Sequence, residues 1–542
     1  MKNISNFKRL FKISCMTTLV ILLVGVSSCT KDFVDRNTPE NQIIAENLDP
    51  SLLGQVFARV QYQGPFGYST NIWNKILYDL YFAQYAANNQ PIFQSDQYSF
   101  AGVHMDRLWG DFYSSAAGSL HYIEDFTKER NLPLENAVAK IWKVQAYQIA
   151  TDAWGPVIYF QAGNGQTSVD YDSQKDIYID FFKVLDTAVA VLKQNPGSKN
   201  IFGNNDQIYQ GDGDKWLRFA NSLRLRVAMR IAYVDPATAQ QQAEKAVADG
   251  VMTANTDNAK VATTINSING LASSLYHDEW RMSASMYSVL QGWKDPRMDV
   301  YFAPVWNGGP ARGLRNGLPV GDRDPAYYQS YSPIGLTWRA LNAGAWGRAG
   351  DNPPMPIMVS AEVYFLRAEG ALRGWNMGGT AMDLYNQGIT MSLTDPVGGL
   401  KVTPEQIDAY INGTSLPVPV SDKWNSPPVT NIPVLYQSGG SFETQLEQII
   451  TQKWLAIFPD GSEAWAERRR TGYPRGYALI ASINPDLNIY QLPRRKSYPP
   501  SEAAVNGAAL EKAKALLGGP DNAATRVWWD AKPLNLYPTP TN

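Results

Sequence analysis

Residues 214–250 read DKWLRFANSLRLRVAMRIAYVDPATAQQQAEKAVADG, from Asp214 to Gly250, and this stretch decides the fold. Trp216, Phe219, Ala220, Leu223, Val227 and Ile231 recur at the three-and-four spacing of one helical face. Arg218, Arg224 and Arg230 fall largely off that stripe. Asp235-Pro236 ends the first helix at Val234, and Pro236 suits the opening turn of a second, Ala237 to Asp249, closed by Gly250. The stretch therefore predicts a helix–turn–helix pair.

The pattern returns on both sides. Ile357 to Leu372 carries Ile357, Ala361, Tyr364, Phe365, Ala368 and Leu372 on one face, and Gly374, Gly378 and Gly379 break it before a second stripe at Ala381, Leu384, Tyr385 and Gly388. Ala137 to Ala153 is followed, after a Gly/Pro break, by Lys175 to Leu192. Phe442 to Phe458 shows Leu446, Ile449, Ile450 and Ile457. Four such pairs with small residues at contact positions predict an all-α fold of tetratricopeptide-like helix pairs, in a degenerate rather than tandem repeat. Long irregular stretches separate them, the largest an insertion at about 254–355 rich in Asn-Gly, Gly-Gly-Pro and Asp-Pro turn signals. Loops of that length are usually functional. No βαβ alternation appears, which argues against a barrel or a doubly wound sheet.

The amino terminus is expected to lie outside the fold. Lys2, Lys8, Arg9 and Lys12 precede an apolar run from Ile13 to Val26, the length of a secretory leader rather than of a bilayer span. Val26-Ser27-Ser28-Cys29 follows, small residues before a cysteine, as in a bacterial lipobox. We expect a signal peptide over 1–28, palmitate-type acylation at Cys29, a polar lipidated tether over 29–50, and one domain over 51–542. Cleavage would leave 44 basic and 50 acidic groups, a net charge of −6 in place of −2. That balance gives no footprint for nucleic acid. Cys15 lies in the leader, so the mature chain would have no free thiol; three histidines and two cysteines supply no zinc cluster or disulfide scaffold, and no metal or cofactor is expected.

Two carboxylate pairs have the residue type that glycoside hydrolysis needs. Asp295 with Asp299, and Glu463 with Glu467, sit one helical turn apart, but such neighbours are usually solvated or salt-bridged. Asp206 to Asp214 lacks the ligand spacing of a calcium loop and reads as an acidic turn. Aromatics are more informative: the chain has 16 Trp and 29 Tyr, too many for core filling alone. Ring faces stack on sugars or peptide side chains, and amides orient hydroxyls or backbone. The candidate ligand residues are Trp73, Asn88, Asn89, Gln90, Tyr276, Trp280, Trp306, Tyr328, Trp338 and Trp346.

Several blocks match a known family. The lipobox followed by Lys31-Asp32-Phe33, the block Thr151-Asp152-Ala153-Trp154-Gly155-Pro156-Val157-Ile158-Tyr159, the helix from Lys215 to Met229, Ala361 to Glu369, Gly461 to Arg469 and Leu492 to Glu502 together resemble the SusD/RagB family of nutrient-binding outer-membrane lipoproteins. Lys31-Asp32 is also similar to a signal that exports lipoproteins to the cell surface. The resemblance implies a non-enzymatic, lipid-anchored protein on the outer membrane, exposed at the surface, that binds an oligosaccharide and delivers it to a TonB-dependent SusC-like transporter. Alternatives are peptide capture within the same family and a lipid-anchored glycoside hydrolase. No ligand residue carries over from the family. Glu467, Arg468 and Arg469 are read on physical grounds as a buried ion-pair network holding the last helices.

Overall fold

The computed structural model describes residues 50–63, 76–90, 92–166, 168–264, 267–274, 280–306, 308–323, 330–335, 353–396 and 400–542. Leader, Cys29 and tether, up to residue 49, lie outside them. One compact unit runs from Leu53 to Asn542. It is built on α1 (Pro50–Gln63), whose Phe57 ring stacks on Phe202 at 3.9 Å and whose Val60 carbonyl accepts the Trp142 indole N–H at 3.0 Å.

Paired helices follow. A short strand β1 (Ala86–Asn88) precedes α2 (Gly102–Phe112), α3 (Gly118–Glu129) and α4 (Pro133–Trp154); α3 packs on α4, and α4 on α5 (Gln174–Gln194). Pro133 opens α4, and Gly155, at φ +86°, ends it where a side chain would be strained. The stretch that opened the sequence reading forms α6 (Gly213–Arg230) and α7 (Pro236–Asp249). Its ends follow the caps: Asp212 accepts from the amides of Asp214 and Lys215, and Asp235 from that of Thr238. After β2 (Ala259–Val261), β3 (Trp280–Met282) and α8 (Ala284–Gly292) come β4 (Met355–Met358), α9 (Ser360–Leu372) and α10 (Ala381–Leu393), which pack together. The expected helix from Ile357 starts later: 355–358 is a strand pairing with β2, with Pro356 in it. β1 pairs antiparallel with β3, and these two-stranded sheets are the only sheets among the described residues.

Then come α11 (Pro404–Ile411), α12 (Phe442–Ala456), α13 (Gly461–Thr471), α14 (Pro500–Val505) and α15 (Gly507–Leu516). α12 packs on α9 and α10 rather than forming a hairpin of its own, and α13 packs on α4. Small residues do sit at contacts. A Cβ on Gly388 of α10 would meet the Phe365 ring of α9 at 2.8 Å. Gly388→Ala should therefore cost about 1–2 kcal/mol in urea unfolding, because overpacking a filled core outweighs the helix propensity gained.

The centre of the unit is ionic. Arg224 and Arg230, off the apolar stripe of α6, are fully buried, as is Arg226 at 2% exposure. Arg226 grips Glu362 of α9 at 2.8 and 2.6 Å. Arg230 meets Glu467 at 2.8 Å and Asp152 at 3.2 Å, and also pairs with Glu463. Lys453 of α12 lies 3.0 Å from Glu463, 3.4 Å from Glu362 and 3.5 Å from Glu467. Arg470 bridges Glu369 at 2.5 Å and Glu467 at 2.6 Å. Five helices (α4, α6, α9, α12 and α13) share these charges. Glu467 thus belongs to the expected network. Arg468 and Arg469 do not join it through carboxylates; they donate to the carbonyls of Phe82, Asp152 and Arg494.

Candidate functional site

Carboxylates do not make a catalytic pair here. Burial would push Glu463 up, but Arg230, Lys453 and Arg226 override it and hold it at about 2, so it stays charged and cannot serve as a general acid. Burial would likewise raise Glu467, but Arg470, Lys453 and Arg230 outweigh it and hold the carboxyl well below the usual carboxylate range. Asp295 is clasped by Arg297 at 2.9 and 2.6 Å and by the Tyr410 hydroxyl, while Asp299 is exposed. In the acidic turn, both oxygens of Asp206 are filled by N–H donors: Gln61 and Ile208 on one, Gly211 and Trp216 on the other, at 2.7–3.0 Å. Asp206 thus ties the turn into a hydrogen-bonded corner.

The aromatic and amide candidates divide. Trp73, Tyr276, Tyr328, Trp338 and Trp346 lie outside the described residues. Trp280 is corrected: it is 3% exposed, and its indole donates to the Ile76 carbonyl at 3.0 Å, pinning β3 to the core instead of facing a ligand. Trp306 is 60% exposed. Asn88 is fully buried; its side chain donates to Phe93 O at 2.6 Å and accepts the Gln90 amide at 2.8 Å, so it shapes a turn. Gln90 is half-buried, with its carbonyl on Arg323 at 2.7 Å. Among the described candidates, Asn89 lines a groove.

That groove encloses about 220 Å³. Its floor is Leu314 and Leu318, which cluster with Ala87 beneath, and its walls are the half-buried rings of Tyr331 and Trp424. β1, held by β3 in the register Ala87↔Arg281, carries the chain to Asn89. Asn316 ties the Leu314–Leu318 segment down, donating to Ala86 O at 2.8 Å and Asp96 at 2.7 Å. Burial raises the Asp96 carboxyl, against Arg323 and Asn316. Arg323 clamps the same segment, reaching the carbonyls of Leu318, Gln90 and Phe93. Trp424 is set by Asp422, which accepts its amide at 3.0 Å and that of Ser426 at 3.1 Å. Arg312 lies over the Tyr331 ring at 5.3 Å, and Lys423 over Trp424 at 4.9 Å. The Nδ2 of Asn89 is buried and has no hydrogen-bond partner among the described residues, which leaves a donor to be accounted for. Of the residues lining this groove, the sequence points to Asn89 and not to Tyr331, Arg312 or Trp424. A lone ring in a loop carries no periodic signal; only the Asp422-x-Trp424 turn could have pointed to one.

Comparison with known proteins gives the context. The family model described as SusD-like, SusD and RagB outer membrane lipoprotein, matches residues 35–530. A chitin-binding SusD homologue from Flavobacterium johnsoniae superposes with a TM-score of 0.80 at 34% identity, over 89% of this chain and 99% of that one. A SusD homologue from Bacteroides thetaiotaomicron gives 0.78 at 31%, over 90% and 100%, and one from Bacteroides uniformis gives 0.78 at 30%, over 90% and 100%. No match was found among curated proteins. No described helix is long and apolar enough to cross a membrane.

Proposed function

Because the chain belongs to the SusD/RagB family of outer-membrane lipoproteins, we propose that it captures a neutral oligosaccharide in the Tyr331–Trp424 groove and passes it to a TonB-dependent SusC-like transporter. In this reading, acylation at Cys29 holds the protein on the cell surface, and no bond of the glycan is broken. The observation that carries it is the Asn89 amide, unpartnered among the described residues, beside two half-buried rings over an apolar floor. Rings take the C–H face of a sugar, and the amide takes a hydroxyl or acetamido oxygen.

The apolar floor, the two rings and the Asn89 amide favour glycan over peptide. Five charged residues also line the groove, Arg312, Asp322, Arg323, Asp422 and Lys423, and some of them are engaged within the protein. Arg323 is taken by three carbonyls, Asp422 by two amides and Ser426, and Lys423 lies 3.6 Å from Asp322. Lys423 and Asp322 are both exposed, so a charged peptide terminus would meet counter-charges there, and peptide capture is the second reading. The chitin-binding homologue at 34% identity makes N-acetylglucosamine oligomers the first ligands to test.

Calorimetric titration of the mature chain with chitotetraose, other neutral tetrasaccharides and short peptides tests this. Saturable binding of a neutral glycan with no turnover is expected. Binding of peptides alone would transfer the groove to peptide capture, and cleavage of the glycan would overturn the binding-only role.

A further inference from the structure

A second cleft, sharing no residue with the groove, lies among the last segments of the chain and encloses about 370 Å³. Three guanidinium groups line it, Arg468, Arg494 and Arg526, and no lining residue is acidic. The nearby acid is Asp530, 2% exposed, which pairs with Arg494 at 3.2 Å and Arg526 at 3.6 Å and also accepts the Tyr537 hydroxyl. One carboxylate is thus divided between two arginines. Arg468 has no carboxylate partner among the described residues; its donors meet the carbonyls of Phe82 and Pro474. Burial, opposed by Tyr98 and aided by Arg494, brings Arg468 down to about 10, still charged at neutral pH. The Nη2 of Arg526 is buried with only the Asp530 carboxylate near it, at 3.6 Å, while its Nη1 donates to the Lys532 carbonyl at 3.1 Å. At the mouth stand Tyr490, 48% exposed, and Leu534, 73% exposed. Gln491 is beside them; its Oε1 is used by the Asn488 amide.

Surplus positive charge in a concave, partly dry site attracts an anion strongly. Arginine forks favour a carboxylate, which accepts two parallel N–H bonds. An exposed ring and an amide beside the charge suit a sugar bearing that carboxylate. We propose that this cleft is a second ligand site that binds an acidic sugar residue of a glycan through its carboxylate, with Arg526 and Arg494 on the anion and Tyr490 against the ring. A chain with both sites would hold a glycan at a neutral and an acidic position, or would discriminate between two glycans.

The test is calorimetric titration of the full mature chain with tetragalacturonate, at about 0.05 and 0.3 M salt. Wild type should bind saturably, more weakly at the higher salt. Arg526→Gln should weaken that binding by about tenfold or more, the loss of one charge-assisted fork. Trp424→Ala should leave it unchanged, and Arg526→Gln should leave neutral tetrasaccharide binding unchanged, which separates this site from the groove. Leu534→Asp, at an exposed position, is the second variant. It sets a like charge at the mouth without touching the core and should weaken tetragalacturonate as well. The proposal fails if wild type does not bind the uronate, if both variants bind as wild type does, or if Trp424→Ala abolishes binding. It also fails if a peptide with a free carboxyl terminus binds in the cleft and displaces the uronate.

Discussion

Replacing Glu467 by alanine lowers the unfolding free energy by about 3–5 kcal/mol, the scale for removing one partner from a buried ion pair. The carboxylate stands between Arg230 at 2.8 Å, Lys453 at 3.5 Å and Arg470 at 2.6 Å, all in the protein interior. Without it, three cations stay buried with fewer anions, and water cannot reach them to compensate. Urea unfolding followed by circular dichroism gives the number, and a loss under about 1 kcal/mol would mean that the network relaxes around the gap. The same charges set an acid limit. Glu463 has an ordinary value of 4.5 and lies at about 2 in the folded protein, so the folded state binds its proton more weakly than the unfolded chain. Its contribution is complete above about pH 4.5 and is lost as pH falls toward 2, with Glu467 and Glu369 lowered in the same direction. Thermal unfolding temperature should fall steeply across that interval and stay flat, for these groups, from pH 5 to 7.

Trp424→Ala weakens neutral glycan binding by about 30-fold or more, the scale of about 2 kcal/mol for truncating an aromatic anchor at the centre of a contact. The indole forms one wall of the groove and lies against the Ala87, Leu314 and Leu318 cluster, so its loss removes both a stacking face and a boundary. Stability should change little, because Trp424 is half-buried and the turn that holds it depends on Asp422 and backbone amides. An unchanged dissociation constant, measured calorimetrically, would place the glycan elsewhere.

The helical frame was legible from residues because its signals are local. An aspartate cap, a proline in the first turn and a closing glycine sit within a few positions of α6 and α7, and the structure uses them there. The role of the α6 arginines was not legible. Position off an apolar stripe cannot distinguish solvent from a buried acid, and the acids arrive from afar: Glu362 lies 136 residues from Arg226, and Glu467 lies 237 from Arg230. The start of the expected helix at Ile357 falls in a strand, 355–358, for the same reason, since the strand's partner at 259–261 is almost a hundred positions earlier. In the groove, Asn89 came from an amide run beside aromatics, whereas Tyr331 and Trp424 are single rings that acquire meaning only when two loops converge.

Several segments of this protein are held by a common device: arginine and tryptophan side chains of the long insertion grip main-chain carbonyls. Arg323 takes those of Gln90, Phe93 and Leu318, Arg315 that of Ala478, Trp293 that of Ile432, and Trp280 that of Ile76. Every amino acid offers the same carbonyl, so the gripped positions are free to change identity while the path of the loop persists. Descendants of this architecture could exchange one nutrient for another by swapping a few ring-bearing positions, with the scaffold beneath inherited intact.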